Sequence, residues 1–401
     1  MDNNKYVNIA IMGFGTVGSG VWELIKLNRE GIKKRALKEV RVRRILDQRD
    51  FPGHEAEGLL TKDFNDILND PEIHIVVEAM GGVDPAYSFS VDCLKAGKSV
   101  VTSNKAVVSV HGAELMRTAQ SNNANFLFEA SVGGGIPIIR PLNHSLSADR
   151  VVGIQGIVNG TTNYILTKMA EENVSFELAL SGAKSLGYAE RDPSDDVNGV
   201  DSSRKLAILL ALATGHQIDY TDIPTTGISE VAELDVEMAK KTGMKLKLLA
   251  SARIVGNDVF AETAPVMIRK NSPLFGVDYS YNAVAITGEF TGEVMFYGQG
   301  AGKMPTAGAV VSDVIDAARH LNVNIMHFWS EKKLPVHTLS NEVANFCVRM
   351  PARCDKAAVS VLYPDAEFIG TRAFLTGDAD KALLKIYSET IGPMASAYRV
   401  L

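Results

Sequence analysis

Glu190, Asp192, Asp195, Asp196 and Asp201 place five carboxylates within twelve residues, and Lys205 follows the last of them by four positions. Such a cluster repels itself and resists burial, so without a cationic ligand it belongs in water. A solvated acidic loop is the simplest reading. The run leads straight into the apolar stretch 206–213, however, and Asp201 and Lys205 at i, i+4 share one face of the helix expected there. Carboxylates so placed can hold a substrate ammonium group. The lysine can donate a proton or stabilise charge on a substrate oxygen.

A second lysine, Lys105, lies in Thr102-Ser103-Asn104-Lys105, directly after the strand expected over 99–102. That is the carboxyl end of the sheet, where open α/β folds bind ligands. Near the start, Gly13-Phe14-Gly15-Thr16-Val17-Gly18 fits G-x-G-x-x-G between a strand and a helix. The first glycine permits the tight turn, the second admits a pyrophosphate to the backbone, and the third lets helix and strand pack closely. The helix N-terminus then favours phosphate charge. The acid expected on the ribose 2′-OH is Asp47, at the end of the second strand. Arg43, Arg44 and Arg49 surround it in sequence and could instead meet a 2′-phosphate, so NAD and NADP both remain open. In either case the nicotinamide carries the redox chemistry, and the protein orients and stabilises charge.

The elements that position these residues follow from apolar patterning. Residues 1–125 alternate short apolar runs with helical spacing, the mark of a parallel sheet with crossover helices. Strands are expected over 7–12, 40–46, 73–79, 99–102 and 125–129, with helices over 17–28 and 113–121. At Ser131-Val132-Gly133-Gly134-Gly135-Ile136-Pro137 the style changes, because three glycines permit unusual dihedrals and a close approach. Beyond it, helices over 175–186, 202–214 and 229–242 mix with strands over 151–158, 246–255 and 284–287, an α+β arrangement. A helix over 306–322 can return the chain to the first domain. The last 60 residues look like a strand–helix–strand appendage built on 344–350, 368–375, 379–389 and 396–400.

Composition narrows the class. The 401 residues are 46% apolar and 22% charged, as in globular chains, and suggest two or three domains. A net charge of −6 and a pI near 5.8 lack the basic footprint of a nucleic-acid binder. The longest apolar stretch, 206–213, falls far short of the roughly 18–20 residues of a membrane span. Cys93, Cys347 and Cys354 lack metal-site spacing, and the histidines sit at no ligand-like spacing. The N-terminus enters a strand pattern without signal-peptide features, so the expectation is a cytoplasmic protein.

Taken in order, these motifs resemble homoserine dehydrogenase. The resemblance runs through Gly13–Gly18, Thr102–Ala106 and Glu129–Pro137, then through Val158-Asn159-Gly160-Thr161-Thr162-Asn163-Tyr164-Ile165-Leu166. It continues through Gly187-Tyr188-Ala189-Glu190, Asp192–Asp201, Arg204-Lys205 and Gly298-Gln299-Gly300-Ala301-Gly302 with Pro305-Thr306, covering roughly residues 7–325. It implies NAD- or NADP-linked interconversion of L-aspartate 4-semialdehyde and L-homoserine, the branch step toward threonine and methionine. It makes Lys205 the proton donor and places Lys105 at the nicotinamide and substrate oxygen, as a second acid/base candidate. It assigns Gly187, Glu190, Asp196 and Asp201 to the substrate. Gly13, Phe14, Gly15, Thr16, Val17, Gly18, Arg44, Asp47, Ser103, Lys105 and Gly302 go to the cofactor.

The resemblance also implies a sodium ion at the glycine turn, held by Glu129 and the carbonyls of Val132, Gly134 and Ile136. That donor set is all oxygen, with nothing soft for a transition metal. The implied organisation is a Rossmann-type dinucleotide-binding domain over 1–130, completed by about 305–330, and a substrate-binding and dimerisation domain over 131–304. A short ACT-like segment follows over 340–401, abbreviated because 351–365 looks too short and proline-bounded for a full helix and strand. The partners implied are an amino-acid substrate and a second copy of the chain, with neither nucleic acid nor membrane. A dehydrogenase for another amino aldehyde would need altered acids, and an inactive sensor would have lost Lys105, Lys205 or the glycine turn.

Overall fold

The computed structural model describes residues 5–325, 329–339 and 343–401. The chain divides into two compact units, one of residues 1–150, 207–219 and 298–334, the other of 151–206, 220–297 and 335–401.

The first unit is a parallel sheet of six strands: β1 (Tyr6–Met12), β2 (Glu39–Leu46), β3 (Leu60–Thr61), β4 (Ile73–Glu78), β5 (Ser99–Thr102) and β6 (Phe126–Leu127). Their spatial order is β3-β2-β1-β4-β5-β6, so the order reverses beside β1. That reversal is where doubly wound folds bind ligands. Val7, Ile9 and Ile11 of β1 are fully buried against Val21 and Ile25 of α1 (Thr16–Leu27) and against Val310 and Val314 of the helix Lys303–Arg319. The late helix thus belongs to the first unit. The expected strand over 125–129 shrinks to β6, because Glu129–Ser131 turns into a 3-10 helix.

The helix expected over 113–121 starts earlier, as α2 (Lys105–Ser121). Asn104 is the reason: its side-chain oxygen accepts the N–H groups of Ala106 and Val107. This cap, with burial of Val107 and Val108, outweighs the weak helix propensity of a β-branched run.

The second unit is built on a mixed sheet of ten strands. It contains β7 (Val151–Ile157), β8 (Lys245–Val255), β9 (Asp258–Ile268), β10 (Tyr281–Gly288), β11 (Gly292–Gln299) and β12 (Val336–Thr338). Strands β8 and β9 pair antiparallel from Val255↔Asp258 onward, a hairpin whose loop uses Gly256 at φ +60°. The helices α3 (Gly160–Glu172) and α4 (Val200–Thr214) carry the polar residues described below.

The C-terminal region departs from the expected strand–helix–strand. It runs β13 (Ala344–Arg349), helix Lys356–Leu362, β14 (Glu367–Ile369), β15 (Ala373–Ala379), helix Lys381–Thr390 and β16 (Ser396–Val400). The strands lie in the order β16-β13-β15-β14, all antiparallel, the split β-α-β arrangement. The stretch 351–365 does hold a helix, started by Asp355, whose carboxylate accepts the N–H groups of Ala357 and Ala358. The single strand expected over 368–375 is two strands, because Gly370 at φ +63° turns the chain between them. Strand β16 also pairs parallel with β9, through Val266↔Arg399 and Met267↔Val400, which joins this module to the main sheet.

Candidate active site

In the second unit the acidic run splits into two sets. Asp201 and Lys205, one turn apart on α4, meet at 2.7 Å, with side chains only 4% and 12% exposed. The Lys205 ammonium also donates to the Val158 carbonyl at 2.7 Å, where β7 ends. Asp196, just before α4, joins them through Asn159, whose amide donates to Asp196 at 2.6 Å and to Asp201 at 2.9 Å. The other end of that amide caps α3, its oxygen accepting from the Thr162 N–H and hydroxyl. One buried side chain therefore satisfies a helix start and aligns two carboxylates.

The remaining acids face outward. Asp195 pairs with Arg204, Asp192 accepts the Ser194 N–H, and Glu190 is exposed. Gly187 adopts φ +74°, and the next carbonyl, that of Tyr188, accepts from the Thr161 hydroxyl at 2.6 Å. The loop carrying Gly187 and Glu190 is thereby tied to the same end of α3 as Asn159. Sequence reasoning placed Lys205, Asp201 and Asp196 together but missed Asn159 and Thr161. The Asn-Gly-Thr-Thr run at a strand end, a helix-start pattern, was the available signal.

In the first unit, Gly13 to Gly18 join β1 to α1. Gly13 has φ +91°, and a Cβ there would sit 2.6 Å from the Ala79 carbonyl oxygen; one on Gly18 would sit 1.9 Å from that of Gly13. A Cβ on Gly15 would meet nothing closer than Arg49 at 3.9 Å. The turn and the packing thus consume the first and third glycines, and the second opens the cradle a pyrophosphate needs. Phe14 donates its N–H to Asp47 at 2.7 Å. Hydrogen bonds from Arg49, then from backbone N–H groups, pull the Asp47 carboxyl down to about 2. Arg43 turns away to Asp70 and Glu72, and Arg44 donates to the Arg43 carbonyl. Of the three arginines, Arg49 is the one that pairs with Asp47.

At the carboxyl ends of β4 and β5, buried Glu78 accepts the Thr102 hydroxyl at 2.6 Å and the Met80 N–H at 2.8 Å. Burial raises its pKa. Asn104 donates to the Gly82 carbonyl, and Ser103 and Lys105 flank it as α2 begins. Gly302, at φ +121°, precedes the helix whose Lys303 bonds Glu23 of α1.

The glycine turn 133–135 serves a close approach of chain to chain. A Cβ on Gly134 would lie 2.3 Å from the Gly300 carbonyl oxygen, and Gly135 donates its N–H to Gln299. The Glu129 carboxylate accepts the N–H groups of Ile138, Ile139 and Arg140 at 2.7–2.9 Å. Its own N–H goes to Asp313, which Arg140 also binds. Burial pushes the Asp313 carboxyl up to about 7. Among the described residues no cluster of three His, Cys, Asp or Glu side chains could hold a metal ion, and no helix is long and apolar enough to cross a membrane.

A doubly wound sheet with an open glycine cradle, in a chain that also buries a lysine among carboxylates, defines a nicotinamide-dependent oxidoreductase. Known proteins narrow that class. Residues 13–129 match the family model for the homoserine dehydrogenase NAD-binding domain, and residues 137–315 that for homoserine dehydrogenase. The homoserine dehydrogenase of Bacillus subtilis is 39% identical over 324 residues, 80% of this chain and 75% of that one. The crystal structure of a homoserine dehydrogenase from Thiobacillus denitrificans superposes with a TM-score of 0.89 at 32% identity, covering 99% of this chain and 98% of that one. A hyperthermophilic archaeal homoserine dehydrogenase in complex with NADPH gives a TM-score of 0.66 at 31% identity, covering 78% and 97%. The chain belongs to the homoserine dehydrogenase family.

Proposed function

We propose that the protein interconverts L-homoserine and L-aspartate 4-semialdehyde with NAD or NADP, the step that leads toward threonine and methionine. The observation that carries this reading is the Lys205 ammonium, fixed by Asp201 and the Val158 carbonyl. An ammonium has three N–H groups, and two are directed at those oxygens. The third can reach a substrate oxygen and protonate it in reduction; in oxidation the neutral amine takes that proton back from the hydroxyl as the hydride leaves. Asp196 and Asp201, aligned by Asn159, suit the substrate ammonium, with Glu190 and the Gly187 backbone closing around it.

The cradle of Gly13, Phe14, Gly15, Thr16, Val17 and Gly18 fits a pyrophosphate, with Asp47, Arg44, Ser103, Lys105 and Gly302 as further cofactor contacts. When bound, the dinucleotide supplies or takes the hydride. The archaeal relative with NADPH supports a nicotinamide cofactor.

The Glu129 carboxylate is largely engaged by the protein's own backbone. Its oxygens already accept three backbone N–H groups, and Arg140 lies 3.9 Å away. Glu129 is better read as an anchor for the chain after the glycine turn, and Val132, Gly134 and Ile136 as parts of that turn. The split β-α-β order of residues 344–400 favours an ACT-like module. A cytoplasmic homodimer paired through the second unit is part of the reading. The exposed, stacked Tyr281 and Tyr297, with Met295 exposed two residues along the same strand, support such pairing.

The test is absorbance at the nicotinamide band with L-homoserine and each dinucleotide, other hydroxy amino acids serving as controls. Reduction that depends on homoserine is expected. Silence with both dinucleotides, although they bind, would overturn the substrate assignment.

A further inference from the structure

We infer that Lys247, with Asp278, is a positioning residue that clamps the start of α3 and so sets where Asn159 holds Asp196 and Asp201 for the substrate. The inference deepens the substrate reading above and rests on it.

Lys247 stands on β8 with only 1% of its side chain exposed. An ammonium has three N–H groups, and three close acceptors take them. These are the Val277 carbonyl at 2.6 Å, Asn163 Oδ1 at 2.9 Å and Asp278 Oδ1 at 2.9 Å. The Thr167 hydroxyl lies further off, at 3.4 Å. Burial draws the Lys247 pKa down to about 8, and Asp278 is the main counterweight. A buried ion pair seldom stabilises a fold more than packed apolar side chains would, and its clearest use is to fix a register. Here the register is that of the loop 277–280 against α3.

The helix side of the clamp answers from α3. Asn163 Nδ2 donates to the carbonyls of Val277 and Tyr281 at 3.1 and 3.0 Å, and the Thr167 hydroxyl accepts the Tyr279 N–H at 3.1 Å. The loop then lies so close to the first turn that a Cβ on Gly160 would sit 2.9 Å from the Ser280 carbonyl oxygen. Gly160 stands between Asn159, which aligns the two acids, and Thr161, which holds the loop of Gly187 and Glu190. Asn163 follows Asn159 by one turn and donates its N–H to the Asn159 carbonyl at 3.2 Å. Losing the ammonium frees the loop from α3, and with it the seat of Asn159. The more exposed Lys245 also pairs with Asp278, but it faces Phe275 and has no part in gripping α3.

The experiment uses the whole protein carrying Lys247→Met with Asp278→Asn, which removes the charge together with its partner and leaves neither stranded. This double variant should unfold within a few degrees of wild type. Its KM for homoserine should nevertheless rise about three- to thirtyfold, the reach of residues that act through a shared network, while its dinucleotide KM stays within about twofold. Lys245→Met should leave both KM values within about twofold. Hydrogen exchange follows the clamp without turnover: the Thr162 and Asn163 amides should exchange about tenfold faster in the double variant. Homoserine KM at the wild-type value, an equal rise in both KM values, unchanged exchange at 162–163, or a double variant that does not fold would each overturn the inference. If wild type itself shows no homoserine-dependent reduction, the substrate assignment falls separately, and the exchange result alone decides whether Lys247 clamps α3.

Discussion

Lys205 and Asp201 form an ion pair at 2.7 Å within one turn of a helix, and both side chains are almost wholly buried. Such a pair is costly to desolvate and is weak evidence for stability. It holds the ammonium in one place, with its remaining N–H directed by the Val158 carbonyl on the other side. Lys205→Ala is expected to lower kcat by about 10²–10⁴, the usual reach of a positioned proton donor. Dinucleotide binding, measured by nicotinamide fluorescence, should stay near the wild-type value. Because the change also removes the cation beside Asp201, thermal unfolding of Lys205→Arg, which keeps the charge, separates lost chemistry from lost folding. Wild-type turnover in Lys205→Ala would remove the lysine from the reaction.

Asn159 offers a sharper test of positioning. Its amide bonds both Asp196 and Asp201 while capping α3, so Asn159→Ala removes one hydrogen bond from each carboxylate and one helix cap. A lost hydrogen bond to a charged group costs about 1.5–3 kcal/mol and a lost cap about 1 kcal/mol. The expected signature is a KM for homoserine raised by tenfold or more, with dinucleotide KM unchanged. Asn159→Asp keeps the cap but sets a third carboxylate against the other two, so its activity should recover as pH falls. Equal loss toward homoserine and dinucleotide would reduce Asn159 to a general structural role.

The contrast between these residues shows what the sequence carries. Lys205 and Asp201 are legible because four-residue spacing puts them on one helical face. The strands of the first unit are legible because a parallel sheet buries both faces, leaving near-continuous apolar runs such as Val7 to Met12. Asn159 reaches acids 37 and 42 residues away, and Glu129 reaches Asp313 across 184, distances over which local pattern has no hold. The C-terminal hairpin is hidden for another reason. Strand β14 has only three residues, and no alternation can be read from so short a run.

Asp47 makes a pH prediction. Its carboxyl ionises near 2 in the fold, mainly because of Arg49, against about 3.9 in an unfolded chain. A depressed pKa stabilises the fold fully above the unfolded value, and the benefit is lost as pH falls toward 2. The contribution is therefore at most about 2 kcal/mol at neutral pH. Urea unfolding of wild type and Asp47→Asn should differ most at pH 5. The gap should narrow by about 1 kcal/mol at pH 3. A gap that stays constant would show that the ion pair adds nothing.

Glu129 separates an anchor from a cation ligand. Glu129→Ala leaves the N–H groups of Ile138, Ile139 and Arg140 without their acceptor. At about 1 kcal/mol or more each, the loss should lower Tm by roughly 5–10 °C. The drop should be equal in sodium chloride and in choline chloride. A drop seen only in sodium would restore the carboxylate as a ligand.

Asp235 ties the C-terminal module into the second unit. It is fully buried on the helix Glu233–Lys241 and accepts Arg349 of β13 at 2.6 and 3.1 Å, the Ser396 hydroxyl of β16, and the Ala232 N–H. Every bond but the last comes from β13 and β16, so the carboxylate fixes those two strands to one helix start. Arg349→Ala would strand a buried charge, at a cost of about 3–5 kcal/mol. The double change Asp235→Asn with Arg349→Met removes the charge with its partner and should recover most of that loss. The measurement is limited proteolysis of residues 344–400 beside global unfolding. Arg349→Ala should expose the module to cleavage at protease levels that leave wild type and the double variant intact. Equal cleavage of all three would show that β9–β16 pairing alone holds the module.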